Sequence, residues 1–332
     1  MKALILDKDG PQLINRPWPQ MDGEVVIRPL LAGICATDLE LVKGYMGFAG
    51  VLGHEFVGVV ESAPDSNPRS EGDRARRPRR QPRSWLGRRV VGEINCPCGS
   101  CVDCQKGRGN HCSRRTVLGI QGRDGVFGDA LRLPLANLHV VPDEVSNEAA
   151  VFVEPLAAAC RILEQVQIQS TDRVIVIGVG RLGQLVARVL SLTGAEVFGV
   201  SKHQSHLDLL PSSVVPTIDT KSLPRADVVV DCSGSPGGLA LAVSLVRPLG
   251  TVVLKTTTHR SNPPNPTSWV IDEVQVVGSR CGPFGPALRL LANGLVDPTP
   301  LISLQLPLVR GVEALKRAAE PDVLKVLLHF DA

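Results

Sequence analysis

The stretch Val174-Ile-Val-Ile-Gly178-Val-Gly180-Arg181-Leu182-Gly183 decides the fold of this 332-residue chain. It begins with an apolar run that predicts a buried strand, and the glycines that follow predict a tight turn. Apolar residues then recur at helical spacing and form one stripe, which comprises Leu182, Leu185, Val186, Val189 and Leu190. The stretch therefore predicts a strand, a glycine turn and a helix that packs back onto the strand.

The same glycine turn predicts a dinucleotide site. Its G-x-G-x-x-G spacing assigns the turn itself to Gly178, close approach of a pyrophosphate to Gly180, and close helix packing to Gly183. Arg181 and Leu182 start the helix, whose N-terminal N–H groups would face the phosphates.

The residues after the next predicted strand, Glu196–Val200, should lie beside the adenosine ribose. They are Ser201, Lys202 and His203, so a hydroxyl and a cation stand where an acidic residue would select NAD. Because this pair suits a 2′-phosphate, the sequence favours NADP over NAD. The alternative is that Lys202 only faces solvent, which would leave the two cofactors weakly discriminated.

The pattern of elements changes near residue 145. Short strands and turns dominate before it, whereas a helical run over 148–166 and then alternating strands and helices follow. We predict an α/β protein with a mainly β domain over 1–144, a doubly wound parallel sheet over 145–285, and a return to the first domain over 286–332. Residues 62–86 read as an insertion in a loop of the first domain.

A cysteine-rich lobe is predicted over 96–112. Its thiols are close together in a segment rich in glycine, and they are Cys98, Cys101, Cys104 and Cys112. Four thiolates suit Zn²⁺ and leave no position open for a substrate, so the spacing predicts a closed structural zinc site. A disulfide pair or a redox Cys-x-x-Cys is the alternative interpretation.

The composition is that of a globular protein, with 43% hydrophobic and 21% charged residues. No apolar run is long enough to span a bilayer, and the N-terminus lacks the apolar core of a signal peptide. The nine cysteines are an odd number and partly clustered, which is typical of a reducing compartment. The sequence therefore predicts a cytoplasmic protein with no membrane partner.

The basic charge is concentrated in one segment. Residues 69–89 hold nine arginines and two acidic residues, a net charge of +7, whereas the whole chain carries +3, so the remainder carries −4. Such runs can bind phosphate backbones. This one is also rich in proline and serine, which favours a solvated loop, and we predict no nucleic-acid partner.

Further segments carry a family resemblance: Gly33-Ile-Cys35-Ala-Thr37-Asp38, Gly53-His54-Glu55-Phe-Val-Gly58 and Val153-Glu154-Pro155. Together with the glycine turn and the cysteine lobe, they resemble the zinc-dependent medium-chain dehydrogenase/reductase (alcohol dehydrogenase) family, nearest to its polyol and threonine dehydrogenase-like members. The resemblance covers nearly the whole chain. It implies a GroES-like catalytic domain formed by both ends of the chain, with a Rossmann domain between them.

The resemblance also implies a catalytic zinc. Cys35 and His54 match its first two ligands, and Glu55 and Glu154 match the carboxylates that complete the shell or exchange with water. Asp38 would orient one of these ligands without binding the zinc itself.

A proton route is implied as well. Thr37 matches the hydroxyl that accepts the proton of the substrate. Many relatives have a histidine three residues later, where this chain has Glu40; a carboxylate can also carry protons, so we expect Glu40 to take part.

The implied function is hydride transfer between an alcohol or polyol, or the matching ketone or aldehyde, and NAD(P), with two zinc ions per chain. We expect self-association as a dimer or tetramer. Two alternatives stand beside it. One is a metal-independent quinone or enone reductase of the same fold, and the other is a non-enzymatic nucleotide-sensing or RNA-binding protein that uses the arginine-rich segment.

Overall fold

A computed structural model describes residues 1–64, 85–256 and 265–330. The chain divides into two compact units, one formed by Met1–Glu154 with Ile302–Ala332 and the other by Pro155–Leu301. Both ends of the chain thus belong to the same unit.

The strands, in chain order, are β1 (Lys2–Asp7), β2 (Gly10–Asn15), β3 (Val25–Gly33), β4 (Gly50–Val51), β5 (Glu55–Ser62), β6 (Arg89–Gly92), β7 (Asn95–Cys96), β8 (Thr116–Val117), β9 (Leu131–Leu133), β10 (Leu138–Val140), β11 (Arg173–Ile177), β12 (Glu196–Val200), β13 (Val214–Thr217), β14 (Ala226–Asp231), β15 (Val246–Leu254), β16 (Gln275–Gly278), β17 (Ile302–Pro307) and β18 (Lys325–His329). The helices are α1 (Ala36–Val42), α2 (Val102–Gln105), α3 (Asn147–Ala150), α4 (Val153–Gln165), α5 (Arg181–Ser191), α6 (Gln204–Leu207), α7 (Gly238–Leu245), α8 (Thr267–Ile271), α9 (Phe284–Ala292) and α10 (Gly311–Ala318).

The first unit is built mainly from β-strands. Its largest sheet has the order β10-β6-β5-β3-β18-β17, with β9 paired to β3. The central strand β3 is antiparallel to both β5 and β18, which joins the two ends of the chain in one sheet. Apolar residues such as Val25, Ile27 and Val57 are fully buried in it. The mainly β domain that the sequence predicts is present.

The second unit holds the predicted doubly wound sheet. All six strands are parallel, in the order β13-β12-β11-β14-β15-β16. Counted from β11, this order is 3-2-1-4-5-6, the Rossmann order. Its apolar centre includes Ile175, Val229 and Val252, all with no exposed surface. The strand–turn–helix prediction for 174–190 is confirmed by β11 and α5, whose apolar stripe is buried from Leu185 onward.

The boundaries of these units fall later than the predicted domain limits after residues 144 and 285. Helix α3 packs on β3 and β5, so the residues up to Glu154 group with the first unit. Helix α9 lies in the second unit. The helical run predicted over 148–166 is two helices, α3 and α4, which are separated at the buried Val151 and Phe152.

Most of the insertion predicted over 62–86, and most of the arginines predicted to be solvated, lie within residues 65–84, outside the described part of the chain. The strands on either side, β5 and β6, pair antiparallel through Gly58 and Val90. None of the helices in the described ranges has the length and apolar character of a membrane span.

Candidate active site

Three side chains able to bind a metal converge at one end of the β3–β5 pair. Cys35 is the residue that caps α1 just beyond β3, and His54 directly precedes β5. Gly33 and Glu55 are partners across the two strands, so the segments meet there. The ligand atoms of Cys35, His54 and Glu55 all lie within 4.8 Å of one another. His54 and Glu55 are buried and Cys35 is partly buried.

Two glycines make this convergence sterically feasible. Gly53 has a φ of +91°, and a Cβ there would lie 2.4 Å from the ring of Phe127. A Cβ on Gly33 would lie 2.7 Å from Glu55 Oε2. A larger residue at position 53 would displace the backbone that carries His54. A larger residue at position 33 would displace the Glu55 carboxylate.

Asp38 touches both of the first two candidate ligands. Its side chain has no exposed surface; Oδ2 accepts a hydrogen bond from the Cys35 backbone N–H at 2.8 Å, and Oδ1 lies 3.4 Å from His54 Nδ1. Burial lowers the pKa of His54, but Asp38 and Cys35 raise it more, so the pKa lies well above its usual value. With Nδ1 beside Asp38, Nε2 is the nitrogen available to a metal.

Thr37 and Glu40 lie on α1, beside this group. Thr37 Oγ1 is 3.7 Å from Cys35 Sγ. Glu40 Oε1 accepts from Lys43 Nζ at 2.8 Å, and its side chain is about half exposed. Thr37 therefore lies next to the candidate ligands, and Glu40 reaches solvent from the same helix.

Glu154 lies in the first turn of α4 and is partly buried. It is not among the residues whose ligand atoms lie within 4.8 Å of one another. Its place in the ligand set remains a prediction.

Sequence reasoning missed the partner of Glu55. Lys325, on β18, forms an ion pair with Glu55, and both side chains are almost fully buried. Lys325 Nζ also lies 5.3 Å from the ring centroid of Phe152. Because an unpaired buried charge is strongly destabilising, the pairing of Lys325 with Glu55 stabilises both side chains in the interior. The only hint of this buried lysine in the sequence was its position directly before the apolar run Val326-Leu-Leu328.

The four lobe thiols also converge, with their sulfurs within 4.8 Å of one another. Cys101 Sγ is 3.4 Å from Cys104 Sγ and 3.7 Å from Cys112 Sγ, and Cys98 Sγ is 3.9 Å from Cys104 Sγ. Tetrahedral zinc with Zn–S bonds of about 2.3 Å places its sulfurs about 3.8 Å apart. All four are free thiols. The arrangement fits a metal better than a disulfide pair.

Backbone N–H groups in the lobe point at the sulfurs. The N–H of Ser100 is the main cause that lowers the pKa of Cys98 to about 5, and the N–H of Cys98 lowers the pKa of Cys112. Burial raises the pKa of Cys104 to about 12. Because the thiolate is the form that binds zinc, the N–H groups at Cys98 and Cys112 favour a bound metal.

In the glycine turn of the second unit, the three glycines have different surroundings. Gly178 has a φ of +83°, and a Cβ there would lie 2.5 Å from Ser233 Cα. A Cβ on Gly183 would lie 2.1 Å from the carbonyl oxygen of Gly178, whereas a Cβ on Gly180 would have no neighbour within 4 Å. Packing within the protein thus requires the first and third glycines, and Gly180 faces open space that a pyrophosphate can fill.

The predicted phosphate and ribose residues flank this turn. Arg181 and Leu182 form the first turn of α5. Ser201 is buried and its Oγ accepts from the His203 backbone N–H at 3.1 Å, whereas Lys202 and His203 are exposed. Since the Gly178 backbone N–H donates to the Val200 carbonyl at 2.9 Å, the end of β12 is held beside the glycine turn.

Comparison with known proteins adds independent evidence. Residues 21–143 match the alcohol dehydrogenase GroES-like domain. Sorbitol dehydrogenase of Halalkalibacterium halodurans is 28% identical over 99% of this chain and 99% of its own length. The chain thus resembles the zinc-type medium-chain dehydrogenase/reductase family, as its sequence segments predict.

Two solved structures resemble this chain over 99% of its length. A structure described as a short chain alcohol dehydrogenase (RspB), from Escherichia coli CFT073 and complexed with NADH, has a TM-score of 0.86 and 25% identity over 99% of that chain. A candidate zinc-binding dehydrogenase from Sinorhizobium meliloti 1021, bound to NADP, has a TM-score of 0.84 and 25% identity over 98% of that chain.

Proposed function

We propose that this protein is a zinc-dependent enzyme of the medium-chain dehydrogenase/reductase family that transfers a hydride between an alcohol or polyol, or the matching ketone or aldehyde, and NAD(P). One observation carries the proposal: a thiol, an imidazole and a carboxylate converge within 4.8 Å at a largely buried place. The names of the sorbitol dehydrogenase and of the NADH-bound and NADP-bound relatives support the same class.

Neither alternative has comparable support. A metal-independent quinone or enone reductase would not need the three metal-binding side chains Cys35, His54 and Glu55. An RNA-binding role would depend on the arginine-rich segment, most of which lies outside the described residues.

The donor set fits a catalytic zinc. Thiolate, imidazole and carboxylate are the usual zinc ligands, and we assign Cys35, His54, Glu55 and Glu154 to this ion. Bound there, zinc supplies a Lewis acid that favours loss of the proton from an alcohol oxygen.

The surrounding residues would hold the ligands and move the proton. Asp38 holds the backbone of Cys35 by a hydrogen bond and, from 3.4 Å, would orient the ring of His54. Thr37 accepts the proton of the alcohol, and Glu40 passes it to solvent from the same helix.

We assign the cofactor to the glycine turn. The backbone from Gly178 to Gly183, with Arg181 and Leu182, would bind the pyrophosphate of NAD(P), whose nicotinamide accepts or donates the hydride. Ser201, Lys202 and His203 would contact the adenosine ribose, and we propose that NADP is preferred because no carboxylate stands among them.

The remaining assignments complete the proposal. Cys98, Cys101, Cys104 and Cys112 would bind a second, structural zinc, which gives two zinc ions per chain. We also propose a cytoplasmic location, a homodimer or homotetramer, and no nucleic-acid or membrane partner.

The test is nicotinamide reduction, followed by absorbance, across a panel of alcohols, polyols and hydroxyamino acids with NAD and with NADP. The proposal predicts turnover of at least one alcohol or polyol that stops when zinc is chelated. No turnover across the panel by a folded, zinc-loaded protein would contradict the proposed substrate class, and turnover by protein shown to be free of zinc would favour the metal-independent reductase.

Cofactor choice can be tested separately. We expect the double substitution Ser201→Asp with Lys202→Ala to lower the ratio of kcat/KM for NADP to that for NAD by at least about tenfold, because a carboxylate repels the 2′-phosphate and bonds to a 2′-hydroxyl. The measurement is the initial rate with each cofactor at saturating substrate. If the ratio stays unchanged, these residues do not select the cofactor.

A further inference from the structure

A buried amide joins two segments of the second unit that are far apart in the chain. Gln184 lies on α5 and has no exposed surface. Its Nε2 donates to the carbonyl of Val179 at 3.1 Å and to the carbonyl of His206 at 2.6 Å. Val179 belongs to the glycine turn, and His206 lies on α6, directly after the segment 201–203. One side chain thus bridges the glycine turn and the helix that directly follows the other segment assigned to the cofactor.

Arg188, one helical turn later, extends this bridge. Its Nη1 donates to Gln184 Oε1 at 2.5 Å, and its Nη2 donates to the carbonyl of Leu209 at 2.7 Å. Arg188 is a buried residue. Gln184 and Arg188 thus hold the C-terminal end of α6 and the chain just after it, through the carbonyls of His206 and Leu209.

Polar groups at these positions need an explanation, because the rest of the buried face of α5 is apolar. Burying an amide and a guanidinium is unfavourable unless hydrogen bonds replace those to water, and an apolar pair would fill the same volume. The hydrogen bonds of this pair go chiefly to backbone carbonyls of the turn, of α6 and of the chain just after α6. The pair is therefore suited to fixing the position of one segment relative to the other.

We propose that Gln184 and Arg188 are positioning residues that set the separation between the pyrophosphate turn and the segment that contacts the adenosine ribose, and thereby the affinity for NAD(P). The inference rests on the cofactor site proposed above. A dinucleotide spans both segments, so it binds well only when their separation matches its length. Gln184 is fully buried and acts on the cofactor through these carbonyls.

Gln184→Met keeps the volume of the side chain and removes its donors. We expect the Kd for NADPH and for NADH, measured by the fluorescence of the reduced cofactor, to rise about tenfold. The kcat at saturating cofactor should stay within about twofold of the parent value, because the reacting end of the cofactor is unaffected. Arg188→Met should act in the same direction, and the double substitution should cost less than the product of the single effects, because the two residues act as one unit.

Asn137→Leu is the matched control. Asn137 is a buried amide of the first unit, and its Nδ2 bridges the carbonyls of Glu93 at 2.8 Å and Asn95 at 2.7 Å. This substitution should lower the unfolding temperature as Gln184→Met does, and leave both Kd values unchanged. If Gln184→Met lowers the unfolding temperature and leaves the Kd values unchanged too, its role is structural only and the inference is wrong.

Failure of this inference can be separated from failure of the cofactor site with Gly180→Val. If that substitution blocks cofactor binding while Gln184→Met and Arg188→Met do not weaken it, only the positioning role is overturned. If Gly180→Val itself leaves the Kd unchanged, the cofactor site is misassigned and both claims fall. Should Gln184→Met not fold, Arg188→Met and its Kd decide the question.

Discussion

Cys35→Ser should lower kcat/KM for the best alcohol substrate at least about a thousandfold, a loss of about 4 kcal/mol of transition-state stabilisation. Serine replaces a thiolate with a neutral hydroxyl, which is a poor zinc ligand at neutral pH. The Kd for the reduced cofactor should not change, because the glycine turn belongs to the other compact unit. The measurements are steady-state kinetics, zinc content and cofactor fluorescence.

Cys160→Ser provides the control. Cys160 is a buried thiol on α4, and burial raises its pKa to about 11, so it is a poor metal ligand. Its substitution should leave kcat/KM within about threefold and the zinc content unchanged. Retention of full activity by Cys35→Ser would show that this cysteine is not a catalytic ligand.

Gly180→Val should raise the Kd for the reduced cofactor at least about a hundredfold, which corresponds to about 2.8 kcal/mol. A Cβ at this position meets no protein atom within 4 Å, so the protein should fold normally. The new side chain would instead occupy the space assigned to the pyrophosphate. Fluorescence titration with NADPH and NADH measures the loss, and the unfolding temperature checks the fold.

Gly237→Val, at the start of another helix, is the matched control for Gly180→Val. Gly180 caps α5 with a φ of −82°, and Gly237 caps α7 with a φ of −88°; a Cβ on Gly237 also meets nothing within 4 Å. Its substitution should leave the Kd within about threefold. Equal weakening by both substitutions would mean that the effect comes from the helix caps and not from a blocked pyrophosphate site.

The sequence predicted well those features that depend on neighbours along the chain. The strand, glycine turn and helix around Gly178 obey local rules of spacing and conformation, and the structure has them at the predicted residues. The spacing of the lobe cysteines likewise predicted that their sulfurs could converge.

Features that depend on distant partners were not predictable. Lys325 lies 270 residues from Glu55 in the sequence, and only the pairing of β18 with β3 brings the two together. Gln184 reads as part of a helix, and its role depends on backbone carbonyls that become its partners only after folding. The break between α3 and α4 was missed because Val151 and Phe152 continue the apolar helical pattern while tertiary packing buries them.

The most direct test of zinc-dependent hydride transfer is to strip the protein of metal and add zinc back while following the reduction of the cofactor by its best alcohol substrate. We predict that turnover disappears on stripping and returns with the zinc bound, that the parent protein binds two zinc ions per chain, and that Cys35→Ser binds only the structural ion and stays inactive. Full turnover by protein shown to hold no zinc at Cys35 and His54 would contradict the account.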